Sequence, residues 1–364
     1  MSPRVLVLAL CVAGFLAPAG GSSDHQPMVL GYYTSWGDLT PAELRYENFT
    51  HLAYAFLFAA ADGDVKLEND SRARELTRLA HEHGVQVVLS LGGSDSGEAF
   101  GAMMKDRRAV ERYVAQTVKI VQECGFDGLD VDWEHPMSAE DRTGLVVLVR
   151  KLRQALPGKA LITMAVSAGD WTGEWLDEKE LLPLVDFLNV MTYDMHGPWS
   201  EHAGHNAPLY EAKDDVEDGK YRTYEAMMSY WTEKKKWPKE KLNVGIPTYG
   251  YGYAVSKWYE KPDGKPAHPD VGYRDIPGLL KDGWTRVWDK DACVPYLWKA
   301  GIKELITYDD PESARLKGEW ARKGGFGGIF FWEVSQDWMD RNNALVLAAR
   351  EGFSKGKEGE EPSK

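Results

Sequence analysis

Short runs of β-branched and aromatic residues recur along the chain, with amphipathic stretches of helical period between them. The strand-like runs are Met28 to Thr34, His51 to Phe58, Val85 to Leu91, Gly125 to Trp133, Leu161 to Ser167, Phe187 to Tyr193, Leu242 to Thr248 and Gly328 to Glu333. Helical periodicity fills Ser71 to His83, Arg107 to Glu123, Glu140 to Leu156, Tyr224 to Lys235 and Glu312 to Arg322. Alternation of this kind predicts a parallel sheet, and eight units at this length predict an α/β fold of the closed (β/α)8 TIM-barrel type. An open doubly wound sheet is the competing architecture. It is disfavoured because no G-x-G-x-x-G follows the first strand and no G-x-x-x-x-G-K-[ST] occurs anywhere. The interval between the seventh and eighth runs is far longer than a barrel crossover needs. Its residues 251–305 are rich in Trp, Tyr, Pro and Gly and predict a small α+β insertion between strands seven and eight, at the barrel rim.

The fourth run carries most of the chemical information. It reads Asp127-Gly128-Leu129-Asp130-Val131-Asp132-Trp133-Glu134. Strand side chains alternate faces, so Asp130, Asp132 and Glu134 point one way while Leu129, Val131 and Trp133 point the other. Carboxylates about 7 Å apart along one face push each other's pKa upward, which is how a carboxylic acid stays protonated near neutral pH. In a barrel of this kind the active site lies at the C-terminal ends of the strands, and Glu134 falls where the fourth strand ends. Aromatic residues collect at the same ends: Tyr33 and Trp36, Phe56 and Phe58, Tyr193 and Trp199, Tyr249 and Tyr251, and Trp332. So many strand-end aromatics suggest a stacking groove for flat apolar faces such as pyranose rings. Ser90-Leu91-Gly92-Gly93 ends the third strand, its glycines permitting close backbone approach. Met191-Thr192-Tyr193-Asp194 ends the sixth. His196, His202 and His205 follow in the next loop, but their spacing fits no zinc motif and no H-E-x-x-H is present, so no metal is expected.

Composition narrows the partners. A net charge of −13 argues against nucleic acid and against an anionic membrane surface. Residues 1–21 have the pattern of a secretory signal: Arg4 supplies the charge, Val5 to Leu16 the apolar core, and Ala17-Pro18-Ala19 the cleavage site. Export to the extracellular space or periplasm is expected. Leu10 before Cys11 does not suit a lipoprotein signal. Cleavage would remove Cys11 and leave Cys124 and Cys293, for which a disulfide and two free thiols both stay open. A catalytic barrel over residues 25–353 and a disordered charged tail over 354–364 are expected.

These motifs together resemble glycoside hydrolase family 18 of the chitinase type, over nearly all of the mature chain. The family's D-x-x-D-x-D-x-E is met by Asp127, Asp130, Asp132 and Glu134, its S-x-G-G by Ser90 to Gly93, its M-x-Y-D by Met191 to Asp194, and its last-strand Trp by Trp332. Gly204 to Tyr210 and Tyr308 to Ser313 also resemble stretches of secreted chitinases. The family is an exception to the usual two-carboxylate glycosidase scheme, because the acetamido group of the substrate serves as nucleophile. The resemblance implies a retaining hydrolase of β-1,4-linked N-acetylglucosamine polymers or oligomers that needs no cofactor and is a monomer. Glu134 would be acid and then base, Asp132 would orient the acetamido group, and Asp130, with Tyr32 and Ser90, would tune Asp132. Tyr193 and Asp194 would hold the acetamido group and nearby hydroxyls over Trp332. Trp36, Phe56, Gly92, Gly93, Met191, Trp199 and Tyr249 would line the groove.

One departure is Ser94, where many relatives carry Trp directly after S-x-G-G; a second is the short insertion. Both suggest a less walled groove. Two other functions compete. A non-catalytic chitin-binding lectin on the same barrel is disfavoured by the intact Glu134. An endo-β-N-acetylglucosaminidase acting on N-glycans or peptidoglycan shares the motif, although the insertion and the Gly204 to Tyr210 stretch favour chitin.

Overall fold

The computed structural model describes residues 27–213, 215 and 222–354. The expected signal segment, and all of the expected tail except Ser354, lie outside the described residues. Eight parallel strands form one ring: β1 (Met28–Thr34), β2 (His51–Ala59), β3 (Gln86–Gly93), β4 (Gly128–Trp133), β5 (Leu161–Ser167), β6 (Phe187–Met191), β7 (Leu242–Pro247) and β8 (Gly328–Trp332). Closure comes from β1, which pairs with β2 on one side (Tyr32 opposite Ala53) and with β8 on the other (Leu30 opposite Phe330). The strands read as nearly continuous apolar runs because both faces are covered. In β2, Leu52 through Leu57 are all buried, some against the barrel interior and some against the outer helices.

The helices begin and end where the chain supplies caps. Asp106 accepts from the backbone N–H of Arg108 at the start of Arg107–Cys124, and Ser138 accepts from Asp141 at the start of Ala139–Ala155. Strand β4 starts at Gly128 rather than at Gly125, because Gly125 ends the preceding helix in the left-handed region at φ 77°. Strand β6 stops at Met191, so Tyr193 and Asp194 project from a loop. Periodicity over Tyr224 to Lys235 resolves into a short α-helix, Tyr224–Ser229, followed by a wider turn through Lys234. Among the helices without a sequence expectation are Ser96–Met103 and Ala344–Ser354, and the single turns Asp170–Gly173 and Glu178–Leu181.

Between β7 and β8 a five-stranded antiparallel sheet runs in the order Asp270–Gly272, Tyr249–Tyr253, Leu305–Thr307, Val294–Trp298, Thr285–Asp289, with the helix Ile276–Lys281 packed on it. Val271, Ile276, Leu279, Trp284, Leu297, Ile306 and Tyr308 give it an apolar core of its own. Cys124 and Cys293 are free thiols. Burial pushes the Cys124 thiol up to about 12, and its Sγ donates to Asp70. No described helix is long and apolar enough to cross a membrane.

Candidate active site

Parallel register sets Ser90, Asp130 and Thr163 side by side on β3, β4 and β5. The Asp130 carboxylate, fully buried, accepts four hydrogen bonds. Tyr32 and Ser90 hydroxyls donate to Oδ2 at 2.8 and 2.7 Å, and Thr163 and the Asn189 amide donate to Oδ1 at 2.6 and 3.1 Å. Asn243 on β7 donates to Asn189 Oδ1 at 2.8 Å, extending this polar layer around the barrel interior. Asp127, the first acid of the octet, serves elsewhere. Its Oδ2 accepts from the Val87 N–H at 2.7 Å and lies 2.9 Å from His81 Nε2, which clamps the start of β4 to its neighbours.

Asp132 is 3% exposed, and its Oδ1 has no hydrogen-bond partner among the described residues. Burial, reinforced by Glu134 and Asp130, raises its carboxyl well above the usual range. Burial raises Asp130 as well, but there four donors oppose it. The difference in donors puts the more easily held proton on Asp132. Glu134 is raised from 4.5 to about 7, mainly by burial and further by Asp194 and Asp95. Its backbone is fixed from α-helix Ser96–Met103: Glu134 N–H donates to Ser96 Oγ at 2.9 Å, and Gly97 N–H donates to the Glu134 carbonyl at 3.0 Å. His135 Nε2 stands 3.4 Å from Glu134 Oε2. Burial lowers that imidazole to about 4, so it is uncharged near neutrality.

A cleft of about 460 Å³ opens above these carboxylates. It brings together Tyr32, Asp132, Glu134, Met191, Tyr193, Asp194, Tyr249 and Trp332, all singled out in the sequence. Trp332 stacks on Phe56 with centroids 5.6 Å apart and meets Tyr32 edge-on at 5.4 Å, which fixes its indole as a platform. Asp194, at φ 60°, has its N–H held by Asn206 Oδ1 at 2.8 Å, and its Oδ1 accepts from Tyr249 at 2.6 Å and Tyr251 at 2.9 Å. The cleft walls raise its carboxyl by desolvation, while the two tyrosines pull the other way.

Asp130, Ser90, Gly92, Gly93 and Phe56 lie outside the cleft lining. Gly92, at φ 111°, sits so close that a Cβ would stand 2.3 Å from the Asp132 carbonyl, so it shapes the site by backbone approach. Trp36 and Trp199 are outside the lining and 55% and 61% exposed, Trp36 beside Phe56 and Trp199 edge-on to Tyr251. Ser94 lines the cleft itself. The sequence counts Tyr251 only among the strand-end aromatics of a stacking groove, and gives no sign of Asp270, Arg274 and Asp275 from the insertion or of Gln336 after β8. Tyr251 was legible as a strand-end aromatic. The others had no signal, since only the fold of the insertion turns them toward the barrel. Trp171 was also missed: it is 55% exposed and edge-on to His135 at 5.0 Å. The histidines after β6 do not line the cleft, although His196, His202 and Asp215 each bring a ligand atom within 4.8 Å of the others.

Residues 28–337 match the model of the glycosyl hydrolases family 18. A probable endochitinase of Caenorhabditis elegans is 30% identical over 84% of this chain, which spans 55% of that protein's length. Chitinase 1 of Aphanocladium album is 28% identical over 88% of this chain and 84% of its own. Among solved structures, catalytic domain 2 of the Ostrinia furnacalis group II chitinase, a mutant in complex with penta-N-acetylchitooctaose, superposes with a TM-score of 0.83 at 27% identity, covering 91% of this chain and 97% of that one. With the acidic strand, the polar layer beneath it and the aromatic platform above it in place, the chain belongs to glycosyl hydrolase family 18.

Proposed function

We propose that the protein hydrolyses β-1,4-linked N-acetylglucosamine chains, chitin or its oligosaccharides, with retention and with the substrate's own acetamido group as nucleophile. The observation that carries this reading is Asp132: a buried carboxyl oxygen with no partner among the described residues, lining the cleft beside a carboxyl held near neutrality. An acetamido N–H is the donor that such an oxygen lacks. Buried acceptors left unpaired cost about 1–3 kcal/mol, so a substrate that supplies the donor is selected over one that cannot.

The sugar at the cleavage point rests on Trp332. Its acetamido carbonyl oxygen attacks C1 as the bond to the leaving oxygen breaks, and Glu134 gives that oxygen its proton. The oxazolinium that results is positive and lies against Asp132, which its charge favours in the ionised form. Asp130, held by its four donors, keeps Asp132 in place from below. Tyr193 and Asp194 hold the acetamido group and hydroxyls, with Tyr249 and Tyr251 fixing Asp194. Ionised Glu134 then takes a proton from water as its oxygen adds to C1 and the C1–O bond of the oxazolinium ring breaks, which regenerates the neutral acetamido group and the Glu134 acid. The N-terminal pattern supports export, and the acidic net charge supports a neutral glycan partner. The deciding experiment compares turnover on chitin oligosaccharides, N-glycans and peptidoglycan with one enzyme preparation. Chitin oligosaccharides are expected to be cleaved fastest; preference for either of the others would replace the chitin reading with that glycan.

A further inference from the structure

The insertion lends the cleft one wall, whose chemistry differs from that of the barrel floor. The strand Asp270–Gly272 pairs antiparallel with Tyr249–Tyr253, Asp270 opposite Tyr251 and Gly272 opposite Tyr249. Directly opposed residues share a face, so Asp270 and Gly272 look the same way as the two tyrosines that hold Asp194, while Val271 packs in the insertion's own core. Gly272 has no side chain, and two neighbours meet at the hollow it leaves. A Cβ there would stand 3.3 Å from Asp275 Oδ2 and 3.5 Å from Gln336 Cβ. Asp270, Gly272, Asp275 and Gln336 all line the cleft. The groups gathered here are acceptors short of donors. Among the described residues the Asp270 carboxylate has neither a hydrogen bond nor an ion pair. Asp275 accepts only the Gly272 N–H, at 3.2 Å, and Gln336 Oε1 is buried without a partner. Arg274, the only cation among the described residues that line the cleft, stands with Nη2 3.9 Å from Asp38 Oδ2 on the loop after β1.

We propose that this wall selects partly deacetylated chitin: it receives the ammonium of a glucosamine unit on the donor side of the bond that breaks, while the unit over Trp332 keeps its acetyl group. The inference rests on the reading of the cleft as a chitin-oligosaccharide site. An ammonium carries three donors, a positive charge and no acceptor, the complement of two carboxylates and an amide oxygen that lack donors. An acetylated unit brings one N–H and no charge to the same place. The unit at the cleavage point is different, because its acetamido group must attack C1 and must satisfy Asp132, which is 3% exposed with Oδ1 unpartnered among the described residues. Strand order sets the side. β8, which Gln336 follows, stands four strands from β4 in the ring of eight, so the wall lies across the cleft from Glu134 and from the leaving sugar that Glu134 protonates. Asp270 and Asp275 are exposed, so the attraction has the size of a surface ion pair, about two- to fivefold in preference, and salt screens it.

The full chain digests fully acetylated chitin oligosaccharides and, separately, a partly deacetylated chitosan, in mildly acidic buffer where the sugar amine carries its proton. Mass spectrometry sequences the chitosan products. New reducing ends should be N-acetylglucosamine. Among the donor-side units that precede them, glucosamine should be enriched about two- to fivefold over its share of the starting polymer. Asp270→Asn, which leaves the turn at Asp275 intact, should remove part of that enrichment, and Asp270→Asn with Asp275→Asn most of it. Salt at about 1 M, where the Debye length is about 3 Å, should lower the enrichment of the wild type in the same way. Enrichment is a ratio within one digest, so a partial loss of folded enzyme or of turnover does not move it. Donor-side units at the polymer's own composition, or an enrichment that the double variant and salt leave unchanged, overturn the proposal and leave the wall's acceptors to the hydroxyls of acetylated sugars. No cleavage of the acetylated oligosaccharides would instead overturn the chitin reading, and this preference with it.

Discussion

Glu134 and Asp132 share one strand face, two residues apart, and their different surroundings give them different tasks. Glu134 reaches the open cleft with a carboxyl raised to about 7. Glu134→Gln is therefore expected to lower turnover by about 10²–10⁴-fold or more while oligosaccharide binding changes little. Calorimetry and rate measurements on the same variant check this, and near-wild-type turnover would assign the acid to another group. The shift also has a pH signature. Glu134 must be protonated to act first, so kcat/KM should fall as pH rises through about 7. Folding takes up a proton at this group between its ordinary 4.5 and about 7, so its contribution to stability declines as pH rises through that window. Glu134→Gln should lessen, by this group's share, the slope of unfolding free energy against pH in that window, which Asp337, also raised to about 7, continues to feed. The octet made these residues legible in the sequence, because strand alternation places the three acids on one face without any knowledge of the fold. The role of Asp127 was not legible. Its carboxylate turns to Val87 and His81, and that direction depends on the neighbouring strand and helix.

At the scale of elements, the loops decide what the barrel ends do. The turn after β3 places Ser94 in the cleft, at the position where the family resemblance leads one to expect an aromatic ring. Stacking by such a ring is worth roughly 0.5–1.5 kcal/mol by analogy with aromatic pairs, so its absence costs up to about tenfold in acceptor affinity. The wild type should favour hydrolysis over transglycosylation, and Ser94→Trp should raise the transglycosylation share at high oligosaccharide concentration. An unchanged product ratio would mean that another aromatic, Trp171 or Trp199, already serves the acceptor side. The Tyr308 to Ser313 stretch shows what a recognised motif does physically. Asp310 caps the helix Pro311–Gly324, while Asp309 meets the fully buried Lys317 at 2.5 Å and accepts from Ser313 at 2.7 Å. Lys317→Met should destabilise the fold by about 3–5 kcal/mol, since it leaves a buried carboxylate uncompensated, whereas changing both members to apolar residues should cost less. Denaturant midpoints of the single and double variants test this. Most helix and strand positions were legible from period alone, but the helices Ser96–Met103 and Ala344–Ser354 were not. The insertion's wall of Asp270, Arg274 and Asp275 was not, because its approach to the cleft follows from antiparallel pairing with Tyr249–Tyr253.

For the whole molecule, the barrel's closure brings Tyr32, Ser90, Asp130, Thr163, Asn189 and Asn243 from six strands into one layer beneath Asp132. That layer occupies the Asp130 carboxyl with four donors, so the carboxyl oxygen without a partner among the described residues is on Asp132. A reaction built on this arrangement depends on a group the substrate must bring. Fully deacetylated oligosaccharides keep an amine N–H that Asp132 can accept from but lack the carbonyl that attacks C1, and they are expected to be inert even where they bind. N-acetylated chains of equal length should be cleaved, with the β-anomer released first, because two inversions at C1 restore the starting configuration. Proton NMR of the first turnover reads the anomer before mutarotation, and a parallel assay reads the deacetylated substrate. First release of the α-anomer would mean that water attacks directly, with Glu134 opposed by a base elsewhere in the cleft. Efficient cleavage of the deacetylated chain with retention would mean that an enzyme carboxylate, with Asp194, Asp270 and Asp275 as the candidates lining the cleft, forms the covalent bond instead.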